Sequence, residues 1–287
     1  MTRSDVEAQP EGYGRHFVTS EGDRRLPLHL STVGFSRSQG DVYREHGFPL
    51  FHWLHTVTGI GEFTIGERRM RLGPNQGILM KPNTPHQYRA ETDGWATWFL
   101  TFDGALAGPI ATALDIPLME PIGWDELSPL ASVHELYADK CRRSFDFAGT
   151  SGSLEVYSFL TQVKQYGKSS GQPSLSQGHE RLTPLYLLIE ERYGDPGLGL
   201  AAMAETISVS PQYLNTLFRQ SWGMGPYQYL LQFRIQKAKD LLLAGRVGTV
   251  KETAARVGFL DDSHFVQTFR RLTGLTPAEF RARYSGL

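Results

Sequence analysis

Cysteine is nearly absent from this 287-residue chain: Cys141 is the one present. An intramolecular disulfide and a multi-cysteine zinc site are therefore excluded. Cys141 lies in a Tyr-Ala-Asp-Lys-Cys-Arg stretch that reads as helix, with His134 about two turns away, so a structural role is expected rather than a nucleophilic one. Long apolar runs are missing too. Those present, such as Leu241-Leu242-Leu243, fall far short of the roughly 20 residues that cross a bilayer, and no membrane partner is expected. The first ten residues are polar, with Asp5 and Glu7, and lack the apolar core of a secretory signal, which makes the cytoplasm the expected compartment. Nor does either charge dominate, with 29 Lys and Arg against 30 Asp and Glu. That balance hides an asymmetry: residues 1–177 hold 16 basic against 20 acidic groups, and residues 178–287 hold 13 against 10. A mild C-terminal basic excess is weak evidence for nucleic acid, because phosphate binding depends on clustering.

A chain of this length has room for two cores. Residues 16–102 show short alternating runs broken by glycine and proline, the pattern of an antiparallel barrel or sandwich. Strands are expected over residues 51–57, 61–65, 77–80 and 95–102. Turn signals lie at residues 59–61, 66–69, 73–77 and 82–85. After Gly104 the spacing becomes helical, through residues 127–137 and then Leu154, Tyr157, Phe159, Leu160 and Val163, as for two helices packed on the barrel or on a partner subunit. Residues 167–178, rich in Gly, Ser, Gln and Pro, have the composition of a flexible linker. The expected division is a domain over residues 1–166, that linker, and a helical domain over residues 179–287.

The helical third contains an internal repeat. In its first copy, a short helix with Ala201, Met203 and Ala204 meets a turn at Ile207-Ser208-Val209, and a new helix starts at Ser210-Pro211, a good N-cap followed by a good first helical residue. Leu214, Leu217 and Phe218 form its inward face, leaving Ser210, Gln212, Asn215, Thr216 and Arg219 as DNA-facing candidates. In the second copy Val257-Gly258-Phe259 is the turn and Asp261 the N-cap. Phe265 and Phe269 point inward, and Asp262, Ser263, His264, Gln267 and Arg270 point outward. Two helix-turn-helix units need this plan, because one helix braces the DNA backbone while the polar face of the next enters the major groove, where Gln, Asn and Arg read base edges. A long helix over residues 226–244 joins the copies and can set both readers in successive grooves, roughly 34 Å apart. A helical domain that serves protein binding is the alternative.

These residues resemble the AraC/XylS family of bacterial regulators over residues 182–284. The matches include Ser210-Pro-Gln-Tyr-Leu214, Leu217-Phe218, Gly225-Pro226, Arg234-Ile235, Ala238, Leu241-Leu242, Ala254, Val257-Gly258-Phe259, Ser263-His-Phe265, Phe269-Arg270, Gly274-Leu-Thr-Pro277 and Phe280-Arg281. Thr216 and Gln267 stand where members of the family often carry arginine, so strong guanine contacts are not implied there. Residues 43–104 resemble the family's cupin-like effector barrel through Gly59-Ile-Gly61, Lys81-Pro-Asn-Thr-Pro-His86, Tyr88, Trp95 and Phe102-Asp-Gly104. The fold class implied is α+β and multidomain: a cupin-like barrel with accessory helices, then an all-α domain with two helix-turn-helix motifs. Double-stranded promoter DNA, RNA polymerase, a sugar-like effector and a second copy of the chain, paired through the helices of residues 127–163, are the partners implied.

Cupin enzymes hold a catalytic metal with clustered histidines and a carboxylate, so His52, His55 and His86 are tested as ligands. His52 and His55, three apart on a strand, face opposite ways, and no His-x-His followed by glutamate occurs. No metal, cofactor or catalytic residue is expected, and an enzyme fused to a DNA anchor is the weaker reading. Methyl-transferring DNA-repair regulators with this helical domain need several cysteines, which are lacking. A ligand-independent binding module is the other alternative. The expected pocket is rimmed by Arg44, Trp53, His55, His86, Tyr88, Trp95 and Trp98, aromatic and hydrogen-bonding groups of the kind that suit a small polar effector such as a sugar.

Overall fold

The computed structural model describes residues 12–18, 20–169, 174–244 and 249–284. The chain divides into two compact units, Met1–Leu175 and Ser176–Leu287.

Among the described residues of the first unit, ten strands form two sheets: β1 (Gly12–His16), β2 (His29–Ser36), β3 (Val42–Arg44), β4 (Phe51–Thr58), β5 (Gly61–Ile65), β6 (Arg68–Leu72), β7 (Gln76–Met80), β8 (His86–Ala90), β9 (Ala96–Asp103) and β10 (Pro121–Gly123). The order is β1-β2-β9-β4-β7-β10 in one sheet and β3-β8-β5-β6 in the other, and the paired neighbours of both sheets are antiparallel. Three helices follow: α1 (Ala107–Ala113), α2 (Val133–Arg142) and α3 (Gly149–Tyr166). The larger sheet is covered on both faces, which is why central strand β4 is buried continuously from Phe51 to Thr56 instead of alternating. Alternate side chains still part company. Phe51 and Trp53 join Trp98, Leu100 and Phe102 of β9 in a core closed by Val133, Tyr137, Val156, Phe159, Leu160 and Val163 of α2 and α3. Leu54 joins Ile78 and Met80 of β7 and meets Phe63, Tyr88 and Trp95 in a second core between the sheets.

Three expectations need correction. Residues 127–132 are not helical: they form tight turns, with Ser128 N–H donating to Asp125 O and Ala131 N–H to Ser128 O, α2 begins at Val133, and Leu127 is left 99% exposed. The turn expected at residues 66–69 is only Gly66-Glu67, and Arg68 and Arg69 already belong to β6, where Arg69 pairs with Thr64 across the hairpin. The expected linker is shorter than its composition suggests. Gly167 ends α3, Lys168 bridges to Gly123, and Leu175 already opens the next helix, whose Gly178 is buried. Residues 170–173 of that segment lie outside the described residues.

The second unit is helical: α4 (Leu175–Arg192), α5 (Leu200–Thr206), α6 (Pro211–Trp222), α7 (Pro226–Leu243), α8 (Val250–Arg256), α9 (Asp262–Thr273) and α10 (Pro277–Tyr284). It has two small cores. Leu182, Leu185 and Ile189 of α4 pack with Met203, Leu214, Leu217 and Phe218 in one. Ile235, Ala238 and Leu242 of α7 pack with Ala254, Val257, Phe265 and Phe269 in the other. Helix α7 feeds both, through Leu230 to the first and Leu231 to the second.

Candidate functional site

The two copies of the helical repeat are built from the same parts. In the first, Val209 N–H donates to Ala204 O at 3.0 Å across the turn, and in the second Phe259 N–H donates to Ala254 O at 3.0 Å. The backbone turns through positive φ at Ser208 (54°) and at Gly258 (80°). At Gly258 glycine is required twice over, by that φ and because a Cβ would sit 2.6 Å from Tyr193 O and 2.9 Å from the Arg234 guanidinium. Ser210 Oγ caps α6 by accepting from Tyr213 N–H at 3.2 Å, and Asp261 Oδ1 caps α9 by accepting from His264 N–H at 2.6 Å. Both helices are 12 residues long and end on a left-handed glycine, Gly223 and Gly274, whose N–H returns to the carbonyl four residues earlier.

Most of the expected DNA-facing side chains are exposed: Gln212, Thr216 and Arg219 on α6, and Asp262, Ser263, His264, Gln267 and Arg270 on α9. Asn215 departs from expectation. It is half-buried, its Nδ2 donates to Pro211 O at 3.1 Å, and its Oδ1 faces Gly225, because α7 starts directly behind it. Thr216 also folds back, donating to Gln212 O at 3.2 Å, and Ser210 is committed to its cap. Two further residues stand beside these helices. Leu260, 88% exposed, is the extra residue in the second turn, legible in the repeat as an N-cap spacing of 51 against a turn spacing of 50. Arg181 of α4 stands over the Tyr213 ring and donates to its hydroxyl at 2.8 Å, a contact with no sequence signal.

Arg234, buried in α7, holds the copies in register. Its Nε donates to Tyr193 O and its Nη2 to Asp195 O, both at 2.7 Å, just past the end of α4, while the guanidinium lies over Phe259 of the second turn. Burial pulls its pKa below the usual arginine value, and Asp195 nearby opposes that shift.

In the first unit the expected pocket residues fall into separate groups. Trp53, His55 and Trp98 lie on the helix side of the larger sheet, not in the barrel interior, because they share strand parity with Phe51 and Leu100. There the His55 ring is 5.4 Å from Trp98, 5.2 Å from Trp124 and 6.3 Å from His134, and its Nδ1 accepts from Trp53 Nε1 at 3.2 Å. Burial, aided by His134, pushes the His55 pKa down to about 3, so the ring is neutral. Trp124 Nε1 is buried without a hydrogen-bond partner among the described residues.

Arg44, His86 and Tyr88 lie on the smaller sheet, with Arg44 opposite His86 in register and the His86 and Tyr88 rings stacked at 6.1 Å. Arg44 Nη1 donates to Nδ1 of buried His52 at 3.1 Å, and its guanidinium lies 4.5 Å from the Phe48 ring centroid. His52 shares a face with Phe99 and stands opposite Thr101 in the register of β4 and β9. His52, Phe99 and Thr101 are hard to place from sequence, since strand alternation is masked where both faces are buried, and Phe48 lies between β3 and β4. Burial, then Arg44 and His86, hold His52 well below the usual histidine range. Burial and Arg44 also lower His86, while burial raises Tyr88. His86 Nδ1 donates to Thr84 O at 2.7 Å in that neutral state, which leaves the lone pair on buried, unpartnered Nε2. Thr101 Oγ1 is buried as well, with no hydrogen-bond partner among the described residues. Trp95 closes the inter-sheet core over Gly61, with its Nε1 donating to Thr56 Oγ1 at 3.0 Å. Among the described residues no three His, Cys, Asp or Glu side chains converge to hold a metal, and no helix is long and apolar enough to cross a membrane.

Residues 29–135 match the family model of the AraC-like ligand binding domain, and residues 203–283 match that of the helix-turn-helix domain. The chain is 34% identical over 137 residues to the transcriptional activator RhaS of Escherichia coli (strain SE11), covering 48% of each protein. It is 33% identical over 111 residues to the uncharacterised transcriptional regulatory protein YesN of Bacillus subtilis (strain 168), covering 38% of this chain and 30% of that one. The match thus spans about half or less of the length of these relatives. An AraC-type DNA-binding-domain regulator from Chromobacterium violaceum is 29% identical over 38% of this chain and 96% of its own, with a TM-score of 0.35.

Proposed function

For a chain that belongs to the AraC family, with an AraC-like ligand-binding domain ahead of a helix-turn-helix domain, we propose the function of a transcriptional regulator that binds promoter DNA and answers to a small polar effector, a sugar or related metabolite. The observation that carries this is the pair of identically capped, 12-residue helices α6 and α9, both presenting a polar face. Each is a reader of the major groove, and α7 is the strut between them. Gln212 and Arg219, which are not folded back, are the base-reading residues of α6, and His264, Gln267 and Arg270 are those of α9. Phosphate contacts from these helix N-termini and from Arg181 set the register.

The effector belongs in the barrel interior among Arg44, His52, His86, Tyr88 and Thr101, where buried hydrogen-bonding groups await a partner. A dimer forms through the exposed face of α3 that carries Leu154 and Tyr157, the kind of apolar pair that a second copy covers. Effector binding shifts the population between two dimer arrangements, which changes how paired helical domains meet half-sites and how RNA polymerase meets the promoter. An N-terminal arm that takes part in this shift would be drawn from residues 1–11, outside the described residues.

The test is binding of the purified chain to DNA from upstream of its neighbouring genes, at fixed salt, with and without a panel of sugars and related metabolites. Saturable, sequence-specific binding whose affinity or geometry moves with one compound is the expected result. Specific binding that no compound alters would refute the sensing half, and absence of specific binding would refute the regulator.

A further inference from the structure

The chemistry of the barrel interior narrows the effector class, given the reading that this interior holds the effector. Three strand arginines of the barrel are paired with carboxylates: Arg68 with Glu120, Arg71 with Glu91 and Arg89 with Glu62. Arg44 is half-buried and has no carboxylate partner among the described residues. Its contacts are the neutral acceptor His52 Nδ1 and the Phe48 ring. Both neighbouring histidines are held neutral, and a guanidinium presents a five-donor fork shaped for a carboxylate.

His86 makes a second, different demand. Its Nδ1–H is spent on Thr84 O, so Nε2 is a buried acceptor that needs a donor. A bare carboxylate satisfies Arg44 and leaves Nε2 empty. A neutral sugar satisfies Nε2 and Thr101 and leaves the guanidinium unneutralised. An anion that also carries hydroxyl donors meets both demands. We infer that the effector is a hydroxylated carboxylate of the sugar-acid type, its carboxylate held by Arg44 and a hydroxyl donating to His86 Nε2, with Thr101 Oγ1 binding a further oxygen.

Calorimetric and thermal-shift titrations of the full chain at constant ionic strength test this, with D-glucuronate and D-galacturonate as probes beside D-glucose, D-galactose and acetate. The acids are expected to bind at least tenfold tighter than their parent sugars and than acetate. Arg44→Gln removes the preference for acid over parent, and Arg44→Lys, which keeps the charge, retains most of it should the glutamine variant fold poorly. His86→Phe removes the preference for the hydroxylated acid over acetate, whereas Trp98→Phe, on the far side of the sheet, leaves both preferences intact. Parent sugars as tight as the acids, an acid preference that survives Arg44→Gln, or no binding by either acid would overturn the inference. The two readings fail separately. A uronate that binds through Arg44 without moving DNA affinity overturns the sensor and leaves the acid site standing. A neutral sugar that moves DNA affinity independently of Arg44 does the reverse.

Discussion

At the scale of single residues, buried side chains with several roles are the sensitive points. Arg234 satisfies two backbone carbonyls and stands under the second turn. Arg234→Met keeps the apolar stem and removes the donors, so urea denaturation of the helical unit should show a loss of about 2–4 kcal/mol, the cost of orphaning buried acceptors. A variant as stable as the parent would mean that water reaches those carbonyls. Gly61 is limited by space: a Cβ there would lie 2.1 Å from Trp95 Cζ2, in the middle of a buried ring with no room to swing. Gly61→Ala should cost about 1–3 kcal/mol in the first unit and leave DNA binding by the second unchanged.

At the scale of elements, the repeat predicts matched behaviour from α6 and α9. Ser210→Ala and Asp261→Ala each remove an N-cap, so each should lower the stability of its own helix by about 1 kcal/mol. Both should weaken DNA binding for all sequences alike, since a cap places a helix without reading a base. Arg219→Ala differs in kind. As an exposed, uncommitted guanidinium on α6, it should relax preference at one base position, by about 1–3 kcal/mol in competition binding against single-base operator variants. Helix α3 offers the dimer test. Leu154 is 69% exposed, so Leu154→Glu leaves the core intact while placing a charge on the proposed interface. Light scattering should then report a monomer where the parent is a dimer, and an unchanged mass would place the interface elsewhere.

At the scale of the whole molecule, the two units should respond differently to acid. His52 and His55 are buried and neutral in the first unit, with folded pKa values well below the 6.5 of an unfolded histidine. Below pH 6.5 the unfolded chain takes up protons that the folded one refuses, so stability present above that pH is lost progressively down to about pH 3 for His55. Two such groups cost about 2–3 kcal/mol by pH 5.5, one pH unit below the unfolded value. Melting curves at pH 7.5 and 5.5 should show the transition of the first unit falling, and His55→Gln should reduce that fall by about half. An equal fall in the variant would show that His55 titrates freely in the folded state.

The sequence by itself determined the helical unit almost completely. Caps, turn residues and apolar spacing are local signals, and in a small helical domain local contacts settle most of the structure, so Ser210, Asp261 and the inward Leu214, Phe218, Phe265 and Phe269 were all legible. The central barrel strands were legible for the same reason. Only the tertiary structure decided which side chains share a face. In a sheet covered on both faces burial no longer alternates, so Trp53, His55 and Trp98 could not be told from His52 and Thr101 by pattern. Which face of β4 meets helices and which meets the second sheet depends on pairings between strands far apart in the chain. Those pairings set Arg44 beside His52 and His86, leave its charge unmatched, and turn His86 Nε2 inward without a donor.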